Sequence, residues 1–282
     1  MSTPRLLDRV RAALRSRHYS IRTEEAYVSW IRRFILFHGR RHPLELNSEH
    51  VSAFLSHLAV NGNVAASTQN QALAAILFLY RHVLDDALDP IENVLRAKKP
   101  SRLPVVFTPD EVASILVHLE GVNWLVASLL YGSGVRLLEA LRLRTKDVDF
   151  QYKQIVVRDG KGGKDRVTVL PSSVAEPLQR HLARLRAIHT KHAAEGIARV
   201  YLPTAITRKY PDAHCDWSWQ YVFPAHKMSI DPRSGDLQRH HLNESVVQRA
   251  VKAAIREAGI SKPGSCHSLR HSFATHMLES GY

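Results

Sequence analysis

Cys266-His267-Ser268-Leu269-Arg270-His271-Ser272-Phe273-Ala274-Thr275-His276-Met277-Leu278 is the stretch from which the fold of this chain is read. Leu269, Phe273 and Met277 recur every four residues, which places them on one stripe of a helix. His267 and Arg270 lie three apart and project from one face of it. A fixed cation beside a group that titrates near neutrality is suited to gripping a phosphate and moving protons around it. A helix with such a face is expected to be the meeting point of groups from distant parts of the chain.

The rest of the composition agrees with an anionic partner. Lys and Arg number 39 against 26 acidic residues, a net charge of +13, with 17 His in reserve. An excess of this size favours nucleic acid or an anionic membrane surface. The 282 residues, 45% hydrophobic, suffice for two ordinary domains and exclude global disorder. Cys215 and Cys266 are far apart and neither belongs to a Cys-x-x-Cys pair, so a disulfide framework is not expected. The longest near-apolar run, residues 72–80, is too short to span a membrane, and the Arg-rich N-terminus lacks the apolar core of a signal peptide.

Upstream, residues 4–17 place Leu6, Leu7, Val10, Ala13 and Leu14 on one side of a helix, with Arg5, Arg9, Arg11, Arg15 and Arg17 around the rest. That arginine surface is either a solvated face or a contact for backbone phosphates. Thr23 is read as the cap of a second helix burying Tyr27, Trp30, Ile31, Phe34 and Ile35. A third starts near Asn47-Ser48 with Val51, Phe54, Leu55 and Leu58 inward. A fourth starts near Ser67 with Leu73, Ile76, Leu77, Tyr80 and Val83 inward. Four amphipathic helices with short joins predict an all-α unit over residues 1–93. Residues 94–105, basic and with two prolines, read as a linker to a second unit over residues 106–282.

Thr108-Pro109-Asp110-Glu111 opens that unit with a cap, a proline at the first helical position and a carboxylate three residues on. A helix over residues 124–131 ends at Gly132-Ser133-Gly134, and Arg136 begins the next helical turn beside free backbone N–H groups. Residues 154–158 and 166–170 read as a β-hairpin around the glycine-rich turn that carries Lys161. A helix over residues 173–189 follows. Beyond it Tyr201, Tyr210, Trp217, Trp219, Tyr221 and Phe223 interleave with Arg208, Lys209, His214 and His226, either as a satellite core or as a stacking surface for unpaired bases. Then come Arg239-His240-His241 and a helix over residues 246–258. The expected class is mostly α with a small antiparallel β-sheet: a helical core-binding unit followed by a mixed α/β catalytic unit.

Three motifs in this order, Gly134-Val135-Arg136 with Glu139, Gly160-Lys161-Gly162, and His267-Ser268-Leu269-Arg270, resemble those of the tyrosine recombinase (phage integrase) family over nearly the whole chain. Lys209-Tyr210-Pro211, Trp219-Gln220-Tyr221 and Phe223-Pro224 are similar to an insertion found in the integron integrases, here at about residues 194–224. The resemblance implies that Arg136 and Arg270 hold the non-bridging oxygens of the scissile phosphate. Lys161 would protonate the 5′-oxygen leaving group, and His267 would serve in acid–base chemistry on the nucleophile. A tyrosine would attack phosphorus to form a 3′-phosphotyrosyl link that conserves the phosphodiester energy, so no cofactor and no metal are implied. Trp219, Pro232, His240 and His241 would contact extrahelical bases of a folded single-stranded hairpin site. The expected partner is DNA, as duplex recombination site or folded hairpin, bound by a homotetramer. The implied setting is the bacterial cytoplasm on DNA, and the implied outcome the integration of gene cassettes.

The family places a second His or Trp and then its nucleophile several helical turns beyond His-x-x-Arg, and Tyr282 is too close to Arg270 to match. The expectation is therefore a C-terminally truncated chain that binds DNA without cleaving it. Three rivals weigh less, among them a metal-dependent nuclease, which would need a carboxylate cluster that the sequence does not show. A zinc site at His267 and His271, four apart and beside Cys266, would hold Arg270 between its ligands, repelling the cation. A purely architectural DNA-binding protein fits the charge but leaves Arg136, Lys161, His267 and Arg270 unexplained.

Overall fold

The computed structural model describes residues 5–86, 103–158, 160, 164–202, 204–232 and 235–281, with the backbone alone at 204 and 205. Lys161, most of the 94–105 segment and Tyr282 lie outside the described residues. The chain divides into two units, residues 1–102 and 103–282. Among the described residues it is mostly helical, with two small antiparallel sheets, both in the second unit.

In the first unit α1 (Leu6–Ser16), α2 (Ile21–Phe37), α3 (Ser48–Val60) and α4 (Ala66–Leu79) pack around Val10, Leu14, Ile31, Phe34, Phe54, Leu58 and Ile76. The α2 helix starts earlier than the Thr23 cap expected from sequence. Ser20 caps it, accepting from the Thr23 backbone N–H at 3.2 Å. Both residues have the capping hydroxyl, and tertiary packing of Tyr19 on Tyr27 and Phe78 fixes the earlier one. Asn47 caps α3 where expected. The α4 helix runs into a single π-turn over Tyr80–Leu84, which ends at Asp85 in the left-handed region. The Tyr80 hydroxyl donates to the carbonyls of Pro43 and Leu46, and burial pushes it up to about 12. The arginine surface of α1 is partly engaged inside the unit: Arg15 forks onto Glu24 and Arg9 bonds the Val83 carbonyl.

The second unit begins at α5 (Pro109–Val117), where Thr108 and Glu111 form the expected reciprocal cap. The core helix α6 (Gly121–Ser133) buries Leu125, Val126, Leu129 and Leu130. It is followed by α7 (Leu137–Arg142) and a three-stranded meander, β1 (Val148–Asp149), β2 (Gln154–Val157) and β3 (Arg166–Val169). Register pairs Val157 with Arg166 at the turn end. Then come α8 (Ser172–Ala194) and the short α9 (Thr204–Lys209). The hairpin of β4 (Pro224–Ile230) and β5 (Leu237–His241) goes beyond the single sheet expected from sequence. Last are α10 (Glu244–Glu257) and α11 (Cys266–Glu279).

The opening stretch is a helix, α11, but its buried face is not the expected stripe. Cys266, Ser268, Leu269 and Ser272 are buried, while Phe273 and Met277 are half-buried. α11 packs on α6, with Phe273 lying over Gly134 at the end of that helix. Ser272 accepts from the Phe107 backbone N–H at 2.8 Å and donates to the Ser268 carbonyl, so the buried hydroxyl is satisfied. Among the described residues no helix is long and apolar enough to cross a membrane.

Candidate active site

The site is built where the end of α6 meets α11. Gly134 closes α6 with φ 61°, and a Cβ there would stand 2.4 Å from the Phe273 ring. The position needs glycine twice, for the left-handed backbone and for the close approach of α11. Gly134→Ala is expected to lower stability by about 2 kcal/mol through strain and overpacking, read as a shifted urea midpoint with unchanged slope. An unshifted midpoint would show that Phe273 and the backbone yield freely.

The chain reverses at Gly134 so that Arg136 becomes the residue before α7. Its backbone N–H donates to Glu139 Oε2 at 2.8 Å, and its Nη1 donates to Oε1 at 2.7 Å. From β3, Arg166 donates Nη1 to Glu139 Oε1 at 3.1 Å and Nη2 to Oε2 at 2.5 Å. From α11, Arg270 Nη1 approaches Oε2 to 3.8 Å, beyond hydrogen-bond distance. That nitrogen is buried and has no hydrogen-bond partner among the described residues. Three guanidinium groups from three elements thus converge on one buried carboxylate. Burial works to raise the Glu139 carboxyl, but the hydrogen bonds from Arg166 and Arg136 outweigh it and hold the group at about 2. The excess positive charge and the unsatisfied Arg270 nitrogen are the features that suit an anion with several oxygens.

His267 is exposed one turn before Arg270, and its ring meets that of His271 edge-on at 4.7 Å. Burial, His271 and the charges of Arg270 and Arg136 lower its pKa, so it is neutral at pH 7 and able to accept a proton. Thr168 Oγ1 on β3 donates to the Ser133 carbonyl at 2.7 Å, which ties the hairpin to the end of α6. Gly160 N–H closes the turn onto the Lys164 carbonyl at 3.2 Å. A Cβ on Gly160 would lie 3.1 Å from Arg166 Nη1. Among the described residues no group of three or more His, Cys, Asp or Glu side chains is placed to hold a metal.

The aromatic segment forms a second cluster around Arg144. Its guanidinium lies 3.6 Å from the centroid of Tyr221 and donates to the carbonyls of Trp219 at 2.9 Å and Tyr201 at 2.8 Å. His240, on β5, stacks on Tyr201 at 5.8 Å and touches His241 at 4.5 Å. Burial first, then His241 and the arginines 144 and 142, push His240 down to about 4; burial also lowers His241. Both are therefore neutral at pH 7 and suited to stacking or hydrogen bonding with bases rather than to pairing with phosphate. Trp219 is half-buried, with Lys146 Nζ over its ring at 2.8 Å. Pro232 is exposed beyond the end of β4.

Residues 106–282 match the Phage integrase family, and residues 6–89 match the phage integrase N-terminal SAM-like domain. The chain belongs to the phage integrase family of tyrosine recombinases. An integrase/recombinase of Escherichia coli is 52% identical over 278 residues, covering 99% of this chain and 82% of that protein. The tyrosine recombinase XerA of Thermococcus kodakarensis is 30% identical over 264 residues, 92% of this chain and 76% of that one. The fold is shared with the Tn1549 transposon integrase in complex with transposon right end DNA, at TM-score 0.63 and 16% identity over 98% of this chain and 87% of that one. It is also shared with a lambda integrase dimer bound to a COC′ core site, at TM-score 0.61 and 18% identity over 98% and 86%.

In this phage integrase-family chain the structure brings Arg136 and Arg270 together on Glu139 and sets His267 beside them. Trp219, His240 and His241 share the second cluster. Two residues with a large part in these arrangements are not singled out by the sequence. Arg166 is legible only as a strand residue after a glycine turn, and nothing local shows that it reaches α7. Arg144 lies in a Leu-Arg-Leu-Arg run whose alternation gives no hint that one arginine reaches the carbonyls of Tyr201 and Trp219.

Proposed function

We propose that this chain binds DNA as a site-specific recombinase of the integron integrase type, with Arg136 and Arg270 holding the non-bridging oxygens of the scissile phosphate. The observation that carries the reading is the buried Arg270 nitrogen, without a partner among the described residues, beside two further arginines that share Glu139 as counter-charge. Such a set is costly alone and favourable once an anion supplies acceptors. Lys161 is assigned to protonate the 5′-oxygen as the phosphorus–oxygen bond breaks, and neutral His267 to receive a proton from the attacking hydroxyl. The attacking tyrosine is not assigned to a residue of this chain.

The integron assignment rests on the second cluster. Trp219, His240 and His241, with Pro232 at the hairpin end, would receive extrahelical bases of a folded single-stranded site, and gene cassettes would be the cargo. Residues 1–93 would add duplex contacts of their own, joined through 94–105 to the catalytic residues 106–282, and four copies would assemble on DNA in the bacterial cytoplasm. Trp219→Ala tests this part. It is expected to weaken binding to a hairpin with extrahelical bases by roughly tenfold, the worth of one base–aromatic stack. Binding to plain duplex should change far less, and equal losses on both in a gel-shift titration would remove the insertion from recognition.

A further inference from the structure

Glu139 has two carboxylate oxygens, hence about four lone-pair positions in all. Arg166 fills two of them with its parallel fork, and Arg136 fills the other two with its backbone N–H and Nη1. Nothing is left for Arg270, whose Nη1 stands off at 3.8 Å and is without an acceptor among the described residues. A buried guanidinium nitrogen next to a carboxylate would ordinarily close that gap, because an unmet donor is costly and a fork on a carboxylate is favourable. What keeps it open is that Arg166 has already satisfied the carboxylate.

We propose that Arg166 is a positioning residue: it occupies and neutralises Glu139, so that Arg270, and in part Arg136, keep donors free for a phosphate. The inference rests on the phosphate-gripping reading of Arg136 and Arg270 given above. Its geometry also joins two elements of the site. Arg166 opens β3 opposite Val157, and the backbone of Gly160 passes so near that a Cβ would come within 3.1 Å of Nη1 and 3.6 Å of Glu139 Oε1. Arg166 therefore latches the base of the β2–β3 turn to α7 while it shields the carboxylate. Without it, the two vacated lone-pair positions draw Arg270 inward to hydrogen-bond distance, and the local charge falls by one.

The test uses the full chain, with inorganic phosphate as probe and the arginine Nε–Hε resonances of ¹⁵N-labelled protein as readout. In the wild type, phosphate is expected to shift the Arg136 and Arg270 signals together. Arg166→Met is expected to raise the phosphate concentration needed by about tenfold, since a captured guanidinium loses charge-assisted bonds to the anion. Adding Glu139→Gln to Arg166→Met removes the charge that captures Arg270 and is expected to restore the response to within about threefold, as is Arg166→Lys, which keeps the neutralising charge. A merely structural Arg166 would not be rescued by a second change at its own partner. A response in Arg166→Met equal to the wild type, or a loss that Glu139→Gln leaves in place, overturns the inference alone. Wild-type Arg136 and Arg270 signals indifferent to phosphate overturn the phosphate reading and this inference with it. If Arg166→Met does not fold, Arg166→Lys and the double variant still decide: weak responses in both overturn the inference.

Discussion

Arg270→Ala is expected to weaken binding of the chain to duplex DNA roughly tenfold to a hundredfold near 0.1 M salt, the loss of one charge-assisted contact of about 1.5–3 kcal/mol. It is also expected to flatten the dependence of log affinity on log salt by about one, because one fewer phosphate is neutralised. Both effects follow from the place of the guanidinium. It is buried enough to be poorly hydrated, it lacks an acceptor among the described residues, and its acidic neighbour is already engaged by Arg136 and Arg166. Arg270→Lys should recover only part of the loss, since a point charge replaces a planar fork. Fluorescence anisotropy on a labelled duplex, repeated over a salt series, reads affinity and slope together. An unchanged slope with lower affinity would place Arg270 in folding rather than at phosphate, and no change in either would detach α11 from the DNA.

Much of the fold is legible because local chemistry there agrees with tertiary packing. Thr108 with Glu111, and Asn47 before α3, satisfy helix-end donors in one way only, and the observed caps are those residues. The β2–β3 hairpin has glycines at its turn and alternation on both sides. Where two local solutions are equal, the sequence does not choose: Ser20 and Thr23 are both good caps, and Tyr19 decides for the former by packing. The β4–β5 hairpin escapes reading because its residues, Pro-Ala-His-Lys-Met-Ser-Ile and Leu-Gln-Arg-His-His, lack a regular apolar alternation, and the pairing is bulged between Pro224 and Met228. On α11 the four-residue spacing of Leu269, Phe273 and Met277 suggests a stripe. The buried face instead includes Ser268 and Ser272, the latter bonded to the Phe107 backbone from far upstream, a contact that no spacing in the sequence shows.

The candidate site divides in the same way. Arg136, His267 and Arg270 are visible as local patterns: an arginine after a glycine break, and a histidine and an arginine on one helical face. Their common counter-ion is a long-range fact. Glu139 is three residues from Arg136, yet its heaviest partner comes from β3 and its open one from α11. No spacing in the sequence encodes a contact of that kind. The same holds for Arg144, which is half-buried and bonds the carbonyls of Tyr201 and Trp219 far downstream in the chain.

The strength of the Glu139 hub is measurable without DNA. Its carboxyl ionises at about 2 in the folded chain and near 4.3 in an unfolded one, so over that window the unfolded state binds more protons. The stabilisation is therefore complete above about pH 5 and is lost as pH falls toward 2, a contribution of about 3 kcal/mol from one group. Glu139→Gln removes the titrating group and leaves three guanidinium charges with no counter-charge among them. It is expected to be less stable than the wild type by about that amount at pH 7, with the gap closing as pH falls from 5 toward 2. Three of the four tryptophans, Trp124, Trp217 and Trp219, lie in the second unit, so tryptophan emission during urea unfolding reports chiefly on the unit that holds the hub. Because Glu111 is also held below its ordinary range by Lys262, the informative quantity is the difference between wild type and Glu139→Gln at each pH, in which the other carboxylates cancel. A gap that stays constant from pH 7 to pH 3 would mean that the substitution acts through packing alone. The arginines would then not be held by the charge of Glu139, and their readiness for phosphate would need another cause.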